Sequence, residues 1–129
     1  MGSMLSAAQR YRIALVSASW HGDIVECARD AAARELQSSG VASDRIDSFT
    51  VPGVYEIPLF AKRLTRCRRY DAIVAFGFVV NGGIYHHEYV TSAVIDGLMH
   101  VQIESEVPIF SCVLTPWNFH EHADHVEFF

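Results

Sequence analysis

Residues 71–80, DAIVAFGFVV, decide the fold. After Asp71 the run has no charged residue and no polar face, with Ile73, Val74, Phe76, Phe78, Val79 and Val80 falling on both sides of any extended chain. A strand with one wet face alternates apolar and polar residues. A continuous apolar run is the pattern of a central parallel strand covered by helices on both faces. Asn81, Gly82 and Gly83 break the run. Beyond them residues 85–104 predict a long helix, with Val90, Ala93, Val94, Gly97, Leu98 and Val101 on one stripe. Residues 108–114 predict the next strand, and a further helix begins at Trp117.

Upstream the same alternation holds. Residues 11–17, YRIALVS, predict a buried strand. Residues 23–39 predict a helix: Ile24, Cys27, Ala28, Ala31, Glu35 and Leu36 follow helical spacing, and Gly40 is a natural stop. Residues 45–51 predict a strand closed by Pro52 and Gly53, and residues 56–66 a helix with Pro58 tolerated in its first turn. Strands and helices in strict alternation imply right-handed crossovers. The expected fold is α/β, a three-layer α/β/α sandwich with a four-stranded parallel sheet. Residues 1–10 read as a tag remnant and N-terminal arm, and residues 11–129 as the single domain. Met1 to Ser6 formally fit a myristoylation pattern, but a tag scar before Met4 is the simpler reading.

The composition agrees. Half of the 129 residues are hydrophobic and 19% are charged, which suits a packed core and excludes disorder. No apolar run approaches the roughly 20 residues of a membrane span. A net charge of −5 argues against holding nucleic acid by its phosphates. Lys62, Arg63, Arg66, Arg68 and Arg69 read as the solvated, dipole-complementing end of a helix. Cys27, Cys67 and Cys112 are odd in number and far apart, which argues against a disulfide framework or structural zinc and points to a reduced, cytoplasmic protein.

In parallel α/β sheets ligands bind beyond the carboxyl ends of the strands. Four loops lie there. The first holds Trp20, which can stack on a flat ring or cap the edge of the core. The second runs through Pro52, Gly53, Val54, Tyr55 and Glu56; Glu56 opens a helix, where the dipole favours a carboxylate. The third joins the glycines of residues 82–83 to the N-terminus of the long helix, a setting that attracts phosphate. His86 and His87 follow within the first turn, suited to proton transfer near neutral pH. The fourth, residues 115–125, is TPWNFHEHADH. His122 and His125 are spaced for one helix face, but no third ligand is fixed, so metal binding is the minor reading.

Together the segments VPGVYEIP (51–58), GFVVNGGIYHHEYV (77–90) and VPIFSCVLTP (107–116) resemble the lumazine synthase family, from about residue 11 to the chain end. Trp20, the GGIYHH segment and the histidine-rich LTPWNFHEH segment resemble its second type. The resemblance implies a flavodoxin-like fold and a reaction. 5-Amino-6-(D-ribitylamino)uracil condenses with 3,4-dihydroxy-2-butanone 4-phosphate to give 6,7-dimethyl-8-ribityllumazine, water and phosphate, in riboflavin biosynthesis. It implies no metal or organic cofactor. It implies small-molecule partners, the two substrates and phosphate, with riboflavin a further candidate ligand.

Roles carry over by position. Trp20 matches the ring that stacks on the pyrimidine. Val54, Tyr55 and Glu56 match the segment contacting the substrate, Glu56 near the ribityl hydroxyls. Phe78, Val79 and Val80 match the backbone that reads the pyrimidine edge. Gly83 and Ile84 match the phosphate-binding turn. His86 matches the usual catalytic histidine, whereas the second type often has it at the position of His87; the choice stays open. Ser111 matches a residue reaching a neighbouring subunit's site. His125 stands where the common form has a phosphate-binding arginine, so phosphate binding is expected to be weaker or pH-dependent. The family continues through a basic loop and a last helix, so the C-terminal helix is expected to be missing or incomplete here. A homo-oligomer of pentamers is implied, two pentamers face to face being the favoured form. Trp117, Phe119, Phe128 and Phe129 supply apolar surface for such contacts. The alternatives are a flavin- or lumazine-binding protein with little catalysis and a flavodoxin-like signalling domain. Against the latter, the first strand here is not followed by an acidic pair, and no central strand ends in a phosphoacceptor aspartate.

Overall fold

The computed structural model describes residues 10–79 and 87–114, the side chains of residues 87 and 88 excepted. Its strands are β1 (Ile13–Ala18), β2 (Ile46–Val51), β3 (Ala72–Phe78) and β4 (Ile109–Leu114). Its helices are α1 (Gly22–Ser38), α2 (Ile57–Arg66) and α3 (His87–Ser105). The four strands form one sheet in the order β2-β1-β3-β4, and every neighbouring pair is parallel. The α/β sandwich expected from the alternation is therefore the observed fold. The strand at residues 11–17 begins two residues later than its apolar pattern suggests. Single 3₁₀ turns at Ser43–Arg45 and Val54–Glu56 precede β2 and α2.

The sheet separates two cores. On one face Ala14, Val16 and Ala18 of β1 and Ile73 and Ala75 of β3 pack with Ile57, Ala61 and Leu64 of α2 and Val94 and Leu98 of α3. On the other, Ile13, Leu15, Phe76 and Phe78 pack with Val25, Ala28, Ala32 and Leu36 of α1. Both central strands bury side chains on both faces, which is what the run at 71–80 required. α1 closes as its sequence indicates: Gly40 takes a left-handed φ of 108°, and the Val41 N–H returns to the Leu36 carbonyl at 3.0 Å. Arg63 and Arg66 lie in the last turn of α2, as the charge pattern suggested.

At the amino ends of the strands, polar groups tie the segments together. The Tyr70 hydroxyl donates to Asp47 at 2.7 Å, and Arg12 reaches the same Asp47 oxygen at 3.2 Å. The Arg12 N–H donates to Asp71 at 2.8 Å. This polar cluster leaves the opposite edge, at the carboxyl ends, to the loops singled out above.

Candidate active site

Because all four strands run the same way, the loops after β1, β2 and β3 emerge on one edge. Two devices hold the first two of these loops to each other and to the central strand. The Ser19 N–H donates to the Val51 carbonyl at 2.9 Å and its hydroxyl to the Pro52 carbonyl at 2.8 Å, which fastens the first loop to the second. The Val54 side chain seats on Gly77 of β3; a Cβ at position 77 would collide with Val54 Cγ1. The second loop is thus pinned against the central strand at a point where only glycine leaves room.

Several candidate residues meet on this edge. Trp20 is 64% exposed, which counts against its capping the core and leaves a ring face open to a ligand. Tyr55 and Glu56 are exposed as well. Glu56 ends the 3₁₀ turn, so that α2 starts at Ile57, one residue later than expected, and the Glu56 side chain makes no capping hydrogen bond. Instead the carboxylate folds back over Gly53, its Oε2 lying 3.2 Å from where a Cβ on Gly53 would be. Gly53 is extended, at φ −151°, so its value is space, not handedness.

Val54, Phe78 and Val79 are buried. Their side chains anchor the edge, and only their backbone can meet a ligand. The Val79 N–H donates to the Leu114 carbonyl at 2.8 Å, which continues the β3–β4 pairing to the strand end. Ser111 is exposed on β4, the outer strand, in register with Ala75. Val80, Gly83, Ile84, His86 and His125 lie outside the described residues, as do the side chain of His87 and the helix expected from Trp117. Among the described residues no three His, Cys, Asp or Glu side chains could hold a metal ion. Among them, too, no helix is long and apolar enough to cross a membrane.

One residue of this edge carried no role in the sequence reading. His21 precedes α1 in the left-handed conformation, φ 56° and ψ 48°. Its carbonyl accepts the Ile24 and Val25 N–H groups at 3.1 Å each. Its ring stands between two others: the Phe78 centroid is 5.3 Å away at 68°, and the Trp20 centroid 6.2 Å away at 90°. The available signal was a histidine directly before a Gly-Asp helix start, since histidine enters the left-handed region more readily than most residues.

Comparison with known proteins gives the edge its context. The family profile described as 6,7-dimethyl-8-ribityllumazine synthase matches residues 10–128. A 6,7-dimethyl-8-ribityllumazine synthase of Rhodococcus erythropolis is 53% identical over 126 residues, covering 98% of this chain and 81% of the relative. The protein named 6,7-dimethyl-8-ribityllumazine synthase 2 of Bradyrhizobium diazoefficiens is 52% identical over 95% of this chain and 73% of its own length. That of Pseudomonas syringae pv. tomato is 48% identical over 92% of this chain and 69% of its own length. On a match that runs through every described strand and helix, the chain belongs to the 6,7-dimethyl-8-ribityllumazine synthase family.

Proposed function

We propose that the edge bearing Trp20, Tyr55 and Glu56 is where this enzyme works. As a lumazine synthase the chain is a transferase of riboflavin biosynthesis. It condenses 5-amino-6-(D-ribitylamino)uracil with 3,4-dihydroxy-2-butanone 4-phosphate to 6,7-dimethyl-8-ribityllumazine. The ring amine condenses with the ketone and releases one water, phosphate is eliminated, and closure of the second ring expels a second water. None of these steps needs more than orientation and proton transfer.

The observation that carries the assignment is an exposed indole on a loop tied to the second loop, which is itself seated on the end of the central strand. Trp20 stacks on the pyrimidine. The backbone at Phe78, Val79 and Val80 reads its edge. Val54 anchors the second loop, so that Tyr55 and Glu56 meet the ribityl chain. Gly83 and Ile84 hold the phosphate with help from His125, and His86 or His87 moves the protons. Phosphate, as product, and riboflavin, as a related ring system, bind the same edge. Residues 11–129 act as one domain, in the cytoplasm, within a homo-oligomer of pentamers.

The test is lumazine formation followed by absorbance with both substrates. Trp20→Ala is expected to weaken pyrimidine binding by about 1–2 kcal/mol, the scale of aromatic–base stacking. Unchanged affinity in a folded variant would remove Trp20 from the site.

A further inference from the structure

His21 occupies a backbone conformation that residues with a Cβ avoid, at φ 56° and ψ 48°. Asparagine and glycine enter this region at less cost, and either could open α1 through its carbonyl as His21 does. Here the surroundings are aromatic. The left-handed turn sets the imidazole edge-on to Phe78 at 5.3 Å and perpendicular to Trp20 at 6.2 Å. Phe78 is buried and ends the central strand, whereas the Trp20 indole is exposed. The imidazole therefore touches both a buried ring and a ring that projects into solvent.

We propose that His21 is a positioning residue for the pyrimidine substrate. It braces the Trp20 indole against Phe78, so that one indole face stays presented to the incoming ring. The inference rests on the reading of Trp20 as the stacking wall. A free indole would lose rotamer freedom on binding, and bracing it beforehand removes that loss. The brace acts on the aromatic substrate alone. The butanone phosphate has no ring to stack.

Steady-state kinetics of His21→Asn and His21→Gly test this, since both keep a residue suited to the left-handed turn. Circular dichroism and thermal melting report the fold. The KM for the ribitylaminouracil is expected to rise about fivefold, the scale of one aromatic pair. The kcat and the KM for the butanone phosphate should stay within about twofold. His21→Phe, which restores a ring, should recover part of the lost affinity. In a Trp20→Ala background, His21→Asn should add little. A merely structural His21 would move both KM values and kcat together, and that result overturns the proposal. So does a pyrimidine KM unchanged in both His21 variants while Trp20→Ala raises it. If Trp20→Ala itself leaves the pyrimidine KM unchanged, the stacking assignment fails and the brace with it.

Discussion

Tyr70 and Asp47 set each other's protons. The Tyr70 hydroxyl bond holds the Asp47 carboxyl below its usual range, with the nearby Arg12 guanidinium adding to the effect. Burial pushes the Tyr70 phenol up, and the Asp47 carboxylate adds to it. The signs follow by linkage. Asp47 adds stability above its unfolded pKa, near 4, and that contribution is lost as pH falls through the lowered folded value. Tyr70 adds stability below its unfolded pKa, near 10, and loses it as pH rises through the raised one. The stability gap between wild type and Asp47→Asn should therefore narrow on going from neutral pH into the acid range, as read from urea unfolding. A gap independent of pH would overturn the assignment. Tyr70→Phe should cost about 1 kcal/mol at neutral pH, because the carboxylate is only partly buried and water replaces some of the bond. Single substitutions test the proposed catalytic assignment as well. His86→Ala and His87→Ala, made separately, should slow turnover by roughly tenfold or more for the residue that moves the proton and little for the other. Full turnover in the double variant would take both histidines out of the mechanism.

Among the elements, the contact of Val54 with Gly77 links the site to the fold. β3 runs Phe76, Gly77, Phe78, and the missing side chain in the middle is the socket for the second loop. Gly77→Ala puts a methyl group where Val54 sits, at a cost of about 1–3 kcal/mol for overpacking. Because the loop carries Tyr55 and Glu56, the variant should also lose activity beyond what its melting temperature explains. Val54→Ala in the Gly77→Ala background should recover stability, and a double variant no more stable than Gly77→Ala would refute the socket. This contact also marks where the sequence could be read and where it could not. The order of elements was legible because residues 71–80 are apolar on both faces and the helices carry single stripes. The edge bearing Trp20, Val54 and Glu56 followed from that order. Gly77 was read only as part of a strand, since its partner lies in another segment. The ring contact of His21 was illegible for the same reason: Phe78, against which it packs, is remote in sequence. Glu56 reads as a helix start from its neighbours, yet its carboxylate turns towards Gly53 and caps nothing. Local patterns announce elements; contacts between elements are announced only where a residue type is forced.

At the scale of the whole molecule, the outer face of α3 calls for a partner. Val94, Leu98 and Val101 fill the core, and on the opposite side Tyr89, Met99 and Ile103 are each half exposed or more. Met99 and Ile103, one turn apart, form an apolar strip on that face, and Tyr89 lies further along it beyond the polar Ser92 and Asp96. Single exposed apolar residues are ordinary, whereas an apolar stripe on a long helix is the pattern of a subunit contact. Ser111 fits the same view. It lies exposed on β4, the outer strand of the sheet, where a neighbouring copy can approach it. Homo-oligomers with closed symmetry cover such surfaces, and the five-fold arrangement is the one the lumazine synthase resemblance implies. Sedimentation velocity at micromolar concentration should therefore give a closed oligomer, with a pair of pentamers the expected size. Ile103→Glu, which places a charge in the α3 stripe, should shift the distribution to smaller species while leaving the far-ultraviolet circular dichroism of the fold intact. If each site is completed by a neighbour, dissociation by Ile103→Glu should lower activity in step with the loss of the oligomer. A wild-type chain that sediments as an active monomer would overturn both the assembly and the shared site, because Ser111 would then have no neighbouring pocket to complete.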